Sequence, residues 1–134
     1  MKTREMAEME EIFGPVISGY SRREAIEDGV LIDVSETAAE ANITYPVALS
    51  QRVWEEIVVP GERSRAYGQS EQGRLWDILW MFSLAARGNS NSNLLFQVMA
   101  IMESNQKRIH TLKAVVDGGD DGKPVITIML PEED

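Results

Sequence analysis

The chain has 134 residues, 43% hydrophobic and 26% charged, with one histidine, no cysteine and a formal net charge of −9. That length suits one domain, 1–134, with a real core, since a chain of this size removes roughly two-thirds of its unfolded surface from water. Zero cysteine excludes a disulfide framework, a thiolate nucleophile and sulfur-ligated zinc; with no signal-like start and no run near the ~18 apolar residues of a membrane span, the expectation is a soluble cytoplasmic protein.

In chain order, Met6, Met9 and Phe13 fall at helical spacing while Glu5, Glu8 and Glu11 share another face, which predicts an amphipathic helix closed by Gly14-Pro15. Ser21-Arg22-Arg23-Glu24 is a capping-box pattern, and Gly29 supplies the stop after a short helix. Val30–Val34 is a β-branched run that predicts a strand, followed by Ser35 as cap of a helical turn ending near Asn42. Ser50 opens a further helix, with Val53, Trp54, Ile57 and Val58 apolar, halted by Pro60-Gly61. Residues 61–73, polar and glycine-bearing, predict a mobile loop.

Residues 74–87 are apolar on nearly every face and stop at Gly88, so this helix is expected at the centre of the core with Trp76 and Trp80 largely buried. After the Asn89–Asn93 loop come three β-rich runs, Leu94–Met102, Ile109–Asp117 and Pro124–Leu130, spaced for an antiparallel meander. The fold class expected is α+β: an antiparallel three- to four-stranded sheet, mostly from the C-terminal third, packed on a central apolar helix with shorter N-terminal helices.

Motifs for chemistry are sparse. His110 lies in a strand in phase with Leu112, Ala114 and Val116, without a local orienting carboxylate or nucleophile, and reads as structural. Asp117–Gly122 places acids and a glycine at some positions of a calcium loop, but position three is Gly119 and position twelve is Ile128, so a β-hairpin connection is expected and no metal or other cofactor is assigned. Neither a phosphate loop nor a dinucleotide fingerprint is present. Asp77, in the second turn of the apolar helix with Arg74 three residues before it, is either paired with that arginine or open to a site; Arg74, Asp77 and Asp33 form the candidate pocket of an alternative reading, a small enzyme or ligand-binding domain. Glu55 and Glu56 diverge by about 100° on a helix and make no acid pair.

Charge is divided along the chain. Residues 1–61 hold 12 acids and 5 bases, residues 62–113 hold 4 and 7, and residues 114–134 hold 6 and 1. The basic middle could gather Arg63, Arg65, Arg74, Arg87, Lys107, Arg108 and Lys113 into a phosphate patch, yet an acidic whole repels polyanions, so direct nucleic-acid binding is not expected. Carboxylates three or four residues apart on a helix stand about 5–6 Å apart, near phosphate spacing. Glu5, Glu8, Glu11, Glu24, Glu27 and Asp28 therefore form a candidate interaction face toward a basic protein partner, in the manner of a DNA mimic, set against a merely solvated surface.

The segments Phe13–Ile17, Glu24–Glu36, Gly73–Trp80, Leu95–Val98 and Gly119–Pro131 resemble a family of short, uncharacterised bacterial proteins often carried on plasmids, phages and other mobile elements. The resemblance implies no activity, cofactor or site residue. It does favour a protein that manipulates host or rival machinery. The function expected is thus a small, acidic, non-enzymatic protein-interaction module, such as an inhibitor of a nucleic-acid-binding host or defence protein.

Overall fold

The computed structural model describes residues 20–133, so the helix expected over Met6–Phe13, with Glu5, Glu8 and Glu11, lies outside the described residues. Ser21 opens α1 (Arg22–Glu27): its hydroxyl accepts from the Glu24 N–H while the Glu24 carboxylate accepts from the Ser21 N–H, the reciprocal capping box read from the sequence. Gly29, at φ +80°, takes the left-handed position after the helix that a side chain resists. The apolar run that follows gives β1 (Leu31–Asp33). Ser35 is not the cap of α2 (Ser35–Glu40) but its first residue; the Asp33 carboxylate accepts from both the Ser35 N–H and hydroxyl and takes that role.

Val47–Ser50 forms β2, a strand the sequence reading passed over, because its residues are all buried and show no alternation. Ser50 then caps α3 (Gln51–Val53), which widens into a π-helical turn over Trp54–Val58. The stretch expected as a mobile loop instead holds α4 (Glu62–Ala66), with Ser64 buried and its N–H donated 2.6 Å to the Glu103 carboxylate. Glycine and charge marked this stretch as loop, whereas a partner 39 residues away makes it helix.

Ser70 caps α5 (Glu71–Ala86), three residues earlier than the apolar pattern begins. β3 (Asn93–Ile101), β4 (Lys107–Gly118) and β5 (Pro124–Met129) form the expected antiparallel meander, with Leu94 opposite Ala114 and Val98 opposite His110 in the first pair. Among the described residues, however, the sheet has five strands in the order β1-β2-β5-β4-β3, and β2 lies parallel to β5. It is therefore mixed and mostly antiparallel, drawing two strands from the N-terminal half.

One face of this sheet packs on α5 through Val47, Leu49, Leu112, Ile126 and Ile128 against Leu75, Ile78, Leu79 and Phe82. On β5, α1 is fastened by Arg22, whose guanidinium donates to the Thr127 hydroxyl and the Ile126 carbonyl. The expectation of two largely buried tryptophans holds for Trp76, which is partly buried against the core, and is corrected for Trp80, which is 38% exposed. A sheet covers only one side of a helix, and on another side the two indoles stack on each other, centroids 6.1 Å apart at 10° between planes.

Candidate functional site: the open edge of the sheet

Arg74 turns away from Asp77. It is 4% exposed, and its guanidinium donates to the Ile57 carbonyl (3.0 Å), the Ile101 carbonyl (2.5 Å) and the Gln69 side-chain oxygen (3.2 Å). A planar fork of donors satisfies three acceptors from three segments at once, which a lysine cannot do. Asp77 is exposed beside a cavity of about 200 Å³ lined by Gln69, Met99, Ala100, Ile101 and Lys107, and partial burial raises its carboxyl pKa. Asp33 stands on β1, at the opposite margin of the sheet from β3. Arg74, Asp77 and Asp33 are thus not brought together, and Arg74 acts as a strut joining the π-helical turn to the end of β3.

That strut has a second effect. The Ile101 N–H also points to the Gln69 side-chain oxygen, at 3.4 Å, so both peptide groups of Ile101 face outward from the sheet. Ser92 and Met102, of opposite parity, bond inward to Val116 and Gln106 of the neighbouring segment. By the alternation of an antiparallel ladder, the N–H and C=O groups of Asn93, Leu95, Gln97 and Met99 also point outward. They find no partner among the described residues.

The side chains along this edge are as unusual as its backbone. Asn93–Ile101 contains no charge, proline or glycine, whereas sheet edges are ordinarily blunted by lysine, proline or a bulge. Its even positions Phe96, Val98 and Ala100 are buried toward α5. On the other face Leu95 (61% exposed), Met99 (51%) and the neighbouring strand's Ile109 (63%) form an uncovered apolar stripe. Beside the edge, Met81, Leu84 and Ala85 of α5 with Leu95, Phe96 and Gln97 of β3 line a groove of about 660 Å³. Exposed apolar groups are thus aligned with main-chain groups that have no partner among the described residues.

None of these residues was singled out from the sequence. The available signal is apolarity at both parities of 94–101, which normally denotes a strand covered on both faces; in the sequence it serves only to place a strand of the meander. Of the expected acidic face, Glu24 serves in the capping box, Asp28 accepts from the Tyr20 hydroxyl at 2.7 Å, and Glu27 pairs with Arg23 at 3.5 Å. His110 has a half-buried ring whose Nε2 has no partner among the described residues; burial first, then Arg108 and Arg74, lower its pKa. A further cavity, of about 550 Å³ beneath the Asn89–Ser92 loop, includes Tyr45 and Arg87 but no carboxylate in its lining. Among the described residues no cluster of His, Asp and Glu is arranged to hold a metal, and no helix is long and apolar enough to cross a membrane.

The arrangement defines an α+β protein with a mixed sheet, helices α1 and α5 set against it, and a β3 edge that has no partner strand among the described residues and runs beside a groove. By sequence the chain belongs to the family of unknown function DUF6573, whose model matches residues 9–134. Neither a curated protein nor a solved structure matches it.

Proposed function

We propose that the protein is a non-enzymatic protein-interaction module that receives an extended segment of a protein partner along β3. One observation carries this reading: the uncharged edge Asn93–Met99 offers outward peptide groups and an apolar stripe in the same place. Strand addition draws affinity from main-chain hydrogen bonds and selectivity from alternate side chains, and the α5 groove supplies room for the latter. The setting is the cytoplasm of bacteria that carry mobile elements, in keeping with the family resemblance and the cysteine-free composition.

A second reading, docking of a basic, nucleic-acid-binding host or defence protein on the acidic face, is favoured by the surplus of carboxylates over residues 1–61. Because Glu24, Glu27 and Asp28 already hold internal partners, its weight falls on Glu5, Glu8 and Glu11.

Capture from cells with three baits separates the two: the unaltered chain, Gln97→Pro, and a combined Glu5→Lys, Glu8→Lys, Glu11→Lys variant, with folding checked by circular dichroism. Proline at 97 removes an outward N–H while leaving the ladder to β4 intact. A partner lost with Gln97→Pro and kept by the charge-reversed chain supports docking at the edge. The reverse pattern transfers the function to the acidic face.

A further inference from the structure

We infer that the strand fitting the β3 edge is β3 of a second copy of this chain, antiparallel to the first, with the two-fold axis at Phe96. The inference rests on the edge-docking reading above and names its occupant. Ile101 is closed to pairing because Gln69 and Arg74 already hold its peptide groups. Among the described residues, those with outward groups left free are therefore Asn93, Leu95, Gln97 and Met99, and their midpoint is Phe96.

With the axis there, Asn93 faces the partner's Met99 and Leu95 faces the partner's Gln97, so every free outward group on both strands is matched. Moving the axis one residue to Gln97 sets Asn93 against an Ile101 that has nothing to give. On the α5 side the chosen register puts Phe96 against its own copy and Leu94 against the partner's Val98, all apolar pairs. It also turns the exposed flank of α5 carrying Met81 and Leu84 toward its own counterpart. Such self-complementarity is what an isologous two-fold contact demands.

Charge points the same way. Two chains of net −9 repel over most of their surfaces, and β3 is a strand on which they can meet without apposing like charges. An acidic or basic peptide finds no counter-charge on β3 itself.

The test uses the full chain. Sedimentation across a concentration series should show a dimer that persists at high salt, and Gln97→Pro should raise its dissociation constant about tenfold or more, since pairing bonds are lost at the centre of the interface. The absence of cysteine allows the register to be read directly: a mixture of Leu95→Cys and Gln97→Cys chains should cross-link on oxidation, because directly paired Cα atoms lie about 5.5 Å apart. Leu95→Cys alone should not, its diagonal spacing being about 7–8 Å. A chain monomeric at every concentration overturns the inference, as does a dimer unaffected by Gln97→Pro or cross-linked equally in both preparations. In a monomeric chain, slowed hydrogen exchange at the Leu95, Gln97 and Met99 amides on adding a captured partner keeps the edge-docking reading alone; amides that remain fast overturn that reading too.

Discussion

The Glu103 carboxylate, in the turn between β3 and β4, accepts the Ser64 N–H at 2.6 Å and so caps α4 from the far side of a 39-residue separation. Asp120, in the turn between β4 and β5, does the same for α1, accepting the Arg22 N–H at 2.9 Å and the Arg23 N–H at 3.0 Å. Both hairpin turns thus hold a short helix by its first turn, where unpaired N–H groups favour a carboxylate. The Ser64 hydroxyl, then its N–H, pull the Glu103 carboxyl pKa below its ordinary value, and the Arg22 and Arg23 N–H groups do the same for Asp120. A glycine at 61 is part of the Glu103 site, because a Cβ there would stand 2.2 Å from the carboxylate oxygen.

Asp120→Ala should cost about 1 kcal/mol at neutral pH, the usual loss for a helix cap. A depressed folded-state pKa contributes stability above the ordinary carboxylate range that is lost as pH falls through the folded value. Urea midpoints for the original chain and the variant should therefore differ at pH 7 and converge in strong acid.

Removing Arg74 should be more damaging than removing Asp77. Arg74→Met leaves the Ile57 and Ile101 carbonyls without their donor and should cost about 2–4 kcal/mol. Arg74→Lys should recover only part of this, since one ammonium cannot reproduce the fork. Asp77→Asn should leave the urea midpoint at neutral pH unchanged or slightly raised, because partial burial disfavours its charged form.

Stability should fall, through His110, as pH drops below the ordinary histidine value of 6.5. Burial, Arg108 and Arg74 hold its pKa below the ordinary value. In the interval between the folded and unfolded values the unfolded chain binds more protons, so lowering pH favours unfolding. His110→Phe should flatten that part of a urea-midpoint profile, while the Asp120 effect at lower pH persists.

Trp80→Ala should cost about 1–2 kcal/mol, less than the ~3–5 kcal/mol of a fully buried aromatic. Trp80 is 38% exposed and part of its contact is the stack with Trp76. Acrylamide quenching should drop measurably in the variant. Unchanged quenching with a core-sized stability loss would place Trp80 inside.

Local signals were the legible ones. The Ser21 box, the Ser50 cap, the Gly29 stop and the β3–β4–β5 meander each depend on residues close in sequence, and each is in place. The errors share an opposite cause. Helix α4 depends on Glu103, strand β2 on pairing with β5 from residue 124 onward, and the solvent-facing side of α5 on how far one sheet extends. Arg74 and Asp77, three residues apart, invited a local pairing that Ile57 and Ile101 preempted. The open edge was hidden for the same reason: a strand apolar on both faces reads alike whether its neighbours are present or still to come.

The position of β5 in the sheet sets the order in which the chain can assemble. Last of the strands in sequence, it lies at the sheet's midpoint, between β2 and β4. Until it is inserted, β1–β2 and β3–β4 are separate ribbons with nothing to register one against the other. During synthesis on a ribosome the molecule must wait, with both ribbons exposed, for residues 124–129 to emerge, and a strand so distant from its first neighbour pays a long loop closure before any reward. Folding should accordingly be slow for a chain this small, with the joining of the two ribbons as its late step.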